Sequence, residues 1–114
     1  MERISVNQLV EGLRAIPDES FVCDHVYNYL GHNPVNIDSI GKYMFWSSEC
    51  YTRNLIYKDE RFEMMAICWE SGQASRVHNH FDQRCWMMVP LGRLKGQNFA
   101  VDEHGIATDG TYLY

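Results

Sequence analysis

His78 and His80 stand one residue apart, with Asn79 between them. On a β-strand, residues i and i+2 face the same side, so the two imidazoles would project together and Asn79 away from them. Two imidazoles a few ångströms apart can grip one metal ion. On a helix the same spacing would turn them apart. A His-x-His pair alone is weak evidence, because most such pairs in arbitrary proteins bind nothing. The surrounding spacing is more particular: Gly72, five residues, His78-Asn79-His80, four residues, Cys85, six residues, Gly92.

Strands are needed to present this segment, and the sequence supplies them from Tyr43 onward. YMFW (43–46), YTRNLIYK (51–58) and FEMMAICW (62–69) are rich in aromatic and β-branched residues. Lys58-Asp59-Glu60-Arg61 reads as a polar hairpin turn, and Glu70-Ser71-Gly72-Gln73 as another. RVHNH (76–80) reads as a strand rim, CWMMVP (85–90) as a buried strand and RLKGQNFAV (93–101) as a strand of alternating polarity. A turn at Asp102-Glu103-His104-Gly105 leads to a weakly specified last stretch. Short strands with frequent turns predict an antiparallel sandwich or barrel.

Ahead of these strands, residues 1–35 read as a helical segment. Ile4, Leu9, Val10 and Leu13 recur near a helical period until Pro17. Asp18 or Ser20 is placed to cap a second helix. Phe21, Val22, His25, Val26, Tyr29 and Leu30 form its apolar stripe, with His25 packed among them and Gly31 as the stop. Asn33-Pro34 marks the boundary, so residues 36–114 are expected to form the β portion. Residues 36–48 fit either a short helical turn or a strand.

The 114 residues make one domain of ordinary size, and a hydrophobic share of 46% argues against wholesale disorder. Ten Lys and Arg against 15 Asp and Glu give a net charge of -5, which argues against nucleic acid or an anionic membrane as partner. No window is apolar for long enough to cross a bilayer, and no secretory signal is visible. The four cysteines, Cys23, Cys50, Cys68 and Cys85, are widely spaced without a CxxC pair. They read as reduced thiols of a cytoplasmic protein. Trp69 and Trp86, with Met64, Met65, Met87 and Met88, read as core.

The segment from Gly72 to Gly92 resembles the first signature motif of the cupin superfamily, with Cys85 where an acidic ligand is usual. A cysteine there is characteristic of the thiol dioxygenases. Tyr51-Thr52-Arg53-Asn54-Leu55 resembles that group's substrate-binding strand. Ile67-Cys68-Trp69 resembles the strand before the metal motif, and Gly92-Arg93-Leu94-Lys95-Gly96 the strand after it. The chain is thereby identified as resembling the cysteine dioxygenase type I family, over roughly residues 40–101. The resemblance implies a mainly β fold: a cupin-type jelly-roll barrel, incomplete here, behind an N-terminal helical segment.

It also implies oxidation of L-cysteine to cysteine sulfinate with O₂ as co-substrate, a two-oxygen step on the sulfur ladder. The implied cofactor is Fe(2+), with His78 and His80 as two of its three histidine ligands. Zinc, which has no redox chemistry, would not serve. Arg53 would hold the substrate carboxylate through a planar fork of hydrogen bonds, with Tyr51 on the same face. Cys85 would be the cysteine that animal members crosslink to a distant tyrosine, although a buried small hydrophobe is the commoner fate of such a residue. The matching tyrosine and the third metal histidine would both fall beyond Tyr114. The chain is therefore expected to be either a fragment of a longer protein or a truncated gene product, a monomer unless open strand edges associate. Two alternatives stay open: a dioxygenase of a related mercaptoacid such as 3-mercaptopropionate, and a non-catalytic metal-binding cupin domain. Arg53 argues against cysteamine, which has no carboxylate.

Overall fold

A computed structural model describes residues 2–76, 78, 83–103 and 105–114. The chain divides into two compact units, residues 1–76 and residues 77–114.

The first unit opens with helix α1 (Val6–Ala15). Ser5 caps it: its hydroxyl accepts from the Gln8 N–H at 3.1 Å, and its own N–H donates to Gln8 Oε1 at 2.9 Å. This reciprocal pair satisfies donors that the first helical turn leaves without intrahelical acceptors. Val6, Leu9, Val10 and Leu13 are buried, as the helical period predicts. A 3₁₀ turn at Asp18–Ser20 follows, then helix α2 (Cys23–His32). Neither Asp18 nor Ser20 caps α2; its N-cap is Val22, with no side-chain hydrogen bond, and the helix runs through Gly31 to His32. α2 buries Val26 and leaves His25 exposed, correcting the expectation of a packed histidine. Each helical residue advances the side chain by about 100°, so a stripe centred on Val26 swings its immediate neighbour away.

Gly12 marks where the two helices meet. A Cβ there would lie 1.8 Å from Tyr29 Oη, so any larger residue would displace the tyrosine ring from this position. The Tyr29 hydroxyl donates to the Leu9 carbonyl at 3.3 Å, and burial raises its pKa above the usual tyrosine value.

Beyond α2, Ile4 and Val35 form a parallel bridge, and a 3₁₀ stretch spans Ile37–Tyr43. The alternative of a strand over 43–46 is not realised: Phe45 and Trp46 are exposed and lie outside any strand.

Strands β1 (Thr52–Lys58) and β2 (Glu63–Cys68) form an antiparallel hairpin. Its turn is held by Asp59. Oδ1 accepts from the N–H groups of Arg61 (2.7 Å) and Phe62 (2.9 Å), and Oδ2 accepts from the Tyr57 hydroxyl (2.7 Å). The register pairs Leu55 with Met65 and Tyr57 with Met64, so Ile56 is an extra residue in β1.

In the second unit, β3 (Lys95–Asp102) pairs antiparallel with β4 (Gly105–Leu113), from Lys95↔Leu113 to Asp102↔Gly105. The turn falls where the sequence placed it, and the weakly specified last stretch is a full strand. Residues 85–90 are not a strand, and Cys85 and Met87 are exposed, contrary to the expectation of a buried strand there. A strand needs a neighbour for its N–H and C=O groups. β3 and β4 pair with each other, and among the described residues no third strand is offered to this run.

The fold class is mainly β with a helical N-terminal segment. Among the described residues its strands form two separate two-stranded sheets rather than a closed barrel. No helix among them is long and apolar enough to cross a membrane.

Candidate active site

Alternation along β1 and β2 sorts the hairpin into two faces. Thr52, Asn54, Ala66 and Cys68 share one. Cys68 is 3% exposed, and the Asn54 amide donates to Thr52 Oγ1 (3.0 Å) and the Ala66 carbonyl (3.2 Å), with Cys68 Sγ at 3.8 Å. The Thr52 hydroxyl donates to the Phe45 carbonyl, tying this face to the preceding loop.

The other face carries Arg53 opposite Ile67 and Leu55 opposite Met65. Leu55 is 54% and Ile67 46% exposed, so this face is open. Tyr51, one residue before β1, and Trp69, one after β2, extend the same register. Their rings stack with centroids 4.3 Å apart and planes at 10°. Arg53 is exposed and makes no hydrogen bond or ion pair among the described residues, and the Tyr51 hydroxyl likewise has no partner among them. A guanidinium and a phenol thus stand two residues apart on an open, otherwise apolar face, with donors unspent. Such a pair is suited to an anionic ligand that accepts from both.

His78 and Cys85 belong to the second unit, and both are exposed. His80 and Asn79 lie outside the described residues, so the predicted convergence of the two imidazoles falls outside them too. Neutral imidazoles are suitable donors for divalent iron. Among the described residues, no group of three or more His, Cys, Asp or Glu side chains is placed to hold a metal.

Two residues take parts that the sequence did not signal. Trp69, read as core, is half-buried and stacked on Tyr51. The available signal was positional: both flank the hairpin, one on each strand end. Arg61, read as part of a polar hairpin turn, reaches back to the end of α1. Its guanidinium donates to the carbonyls of Ile16 (2.6 Å), Leu13 (2.8 Å) and Arg14 (3.3 Å) and pairs with Asp18 at 2.9 Å. It also lies 4.1 Å from the Phe21 ring centroid. A broad, open depression between Arg14–Asp18 and Asp59–Arg61 lies beside it, at the turn end of the hairpin, away from Arg53. Its Arg61 is already committed to helix carbonyls, so the depression is a seam of the fold rather than a site.

The cysteine dioxygenase type I family model matches residues 5–109. Cysteine dioxygenase type 1 of Danio rerio is 28% identical over 97 residues, covering 83% of this chain and 48% of that protein. The Bos taurus protein of the same name is 39% identical over 51 residues, covering 44% of this chain and 26% of its own. The Homo sapiens protein is 37% identical over 51 residues, with the same coverage of 44% and 26%. The chain thus spans about half, or less, of the length of these curated relatives. No solved structure matches it.

Proposed function

Because the chain belongs to the cysteine dioxygenase type I family, whose fold is of the cupin type, we propose that it carries the substrate-carboxylate site and two metal ligands of an iron-dependent thiol dioxygenase acting on L-cysteine. The observation that supports this reading is the pair Arg53 and Tyr51, two residues apart on the open face of the β1–β2 hairpin, with donors unspent among the described residues.

Arg53 presents a planar, permanently charged fork, which matches the two oxygens of a carboxylate. Ile67 and Leu55 beside it make the adjoining part of that face apolar, so Arg53 is the one charged group there. Tyr51 offers a hydroxyl to the same carboxylate. His78 and His80 would hold Fe(II), each through a neutral imidazole nitrogen. Fe(II), when bound, supplies the electrons needed to activate O₂. The net change adds both atoms of O₂ to the thiol sulfur and gives a sulfinate. Cys85 belongs to the same proposal as a residue beside the reacting centre. Residues 36–114 would be the N-terminal portion of the barrel, and residues 1–35 its helical preface. The partners are the small thiol and O₂.

In the full-length protein, Arg53→Ala is expected to raise the KM for cysteine ten-fold or more, about 1.4 kcal/mol of lost binding. Arg53→Lys is expected to recover only part, because an ammonium is not a fork. His78→Ala should lower iron bound per chain, measured by metal analysis. An Arg53→Ala protein with wild-type kinetics would overturn the reading.

A further inference from the structure

Among the described residues the Tyr51 hydroxyl has no hydrogen bond to fix it, yet in the proposed role it must meet a ligand at a defined place. What it has is Trp69. The two residues lie one step beyond the paired ends Thr52↔Cys68, outside the ladder. Their rings lie nearly parallel, at 10°, with centroids 4.3 Å apart. Stacking at that distance restricts the first side-chain torsion of the tyrosine, since rotation would slide the ring off its partner. Tyr51 precedes the first ladder pair and so lacks the strand's own restraint on its backbone. Arg53, two residues on, lies within the ladder, held opposite Ile67. One donor of the pair is therefore placed by the sheet and the other by an aromatic neighbour.

The geometry points to Trp69 as a positioning residue for carboxylate recognition: by stacking on Tyr51 it holds the phenol hydroxyl on the face where Arg53 presents its guanidinium. This rests on the reading of Arg53 and Tyr51 as the carboxylate-binding pair. The stack contacts neither thiol nor metal, so its loss acts on binding more than on turnover. An aromatic pair's contribution corresponds to about a two- to ten-fold change in an equilibrium constant.

The test is a double-mutant cycle in the full-length protein, with kcat and KM for cysteine measured separately. Trp69→Leu is expected to raise KM about two- to ten-fold with kcat nearly constant. Trp69→Phe, which keeps a flat ring, is expected to recover most of that. Tyr51→Phe should raise KM with the stack intact. Tyr51→Phe added to Trp69→Leu should raise it no further, because the hydroxyl is then already misplaced. Trp69→Met, similar in bulk but without a flat ring, takes the place of Trp69→Leu if that variant fails to fold. Independent effects in the double variant, or an unchanged KM in the Trp69 variants, would overturn the positioning role. If Arg53→Ala still raises KM in that case, the carboxylate reading survives without Trp69. If Arg53→Ala also leaves KM unchanged, both fall together.

Discussion

The two hairpins differ in what holds them. β1–β2 carries its restraints at both ends and on one face. At its turn, Asp59 gathers the Arg61 and Phe62 amides and the Tyr57 hydroxyl. Just past the turn, Arg61 binds three carbonyls at the end of α1 and packs over Phe21. Phe21 stacks on Phe62, which meets Tyr57 at 5.1 Å. β3–β4 has the longer ladder, closed by reciprocal backbone bonds between Leu94 and Tyr114 and by Gln97 reaching Thr111 and the Gly110 carbonyl. Yet every buried residue among those described lies in the first unit, and Leu113 is 83% exposed. Backbone hydrogen bonds exchange for water at small net gain, so a two-stranded ladder by itself is marginal. Among the described residues, side-chain anchoring rather than ladder length marks β1–β2.

The largest effect should come from Arg61→Ala. It removes a cation that serves three carbonyls at the end of α1, of which only that of Leu13 also accepts from the Ile16 N–H, at an expected cost of about 2–3 kcal/mol. Its contact with the largely exposed Asp18 contributes little of this. Hydrogen exchange should show α1 and β1–β2 losing protection while β3–β4 amides are unchanged; equal loss in both hairpins would contradict local anchoring.

Gly105→Ala is the converse change. Gly105 has φ 112° at the β3–β4 turn and no neighbour within 4 Å of an added Cβ, so the penalty is purely one of backbone conformation, about 1 kcal/mol. It should loosen β3–β4 amides and leave β1–β2 untouched.

The smallest effect is a pH dependence confined to the first hairpin. The Tyr57 hydroxyl, then the Phe62 amide, hold the Asp59 carboxyl below its ordinary value of 3.8. A depressed carboxyl contributes stability that is present above its ordinary value and lost as pH falls through its folded value. The β1–β2 amides should therefore lose protection below about pH 3.8, and Tyr57→Phe should move that loss to higher pH.

Local pattern carried α1, both hairpin turns and most of β1, β2 and β3, because Leu9, Leu13, Pro17 and the β-branched runs act through near neighbours. It could not carry Arg61, whose acceptors lie some 45 positions earlier and are backbone carbonyls that leave no mark on side-chain types. The run at 85–90 failed for a related reason: Trp86, Met87 and Val89 are strand-forming residues, but pairing is decided by partners elsewhere. Of the site, Tyr51 and Arg53 fall on one open face as their spacing implied. The stack with Trp69 needed the register, which no single strand reveals.

The extra residue at Ile56 also changes the phase of β1. Up to Leu55, exposed residues alternate with half-buried ones; after it, Ile56 and Tyr57 are both half-buried before Lys58 turns out again. Tyr57 thereby shares a side with Asn54, not with Arg53 and Leu55. One short strand thus works as two half-strands read in different frames. The first half presents Tyr51 and Arg53 outward, and the second delivers Tyr57 to Phe62 and Arg14. A single inserted residue lets the face proposed for ligand recognition and the attachment to the helices occupy one stretch of chain without competing for the same surface.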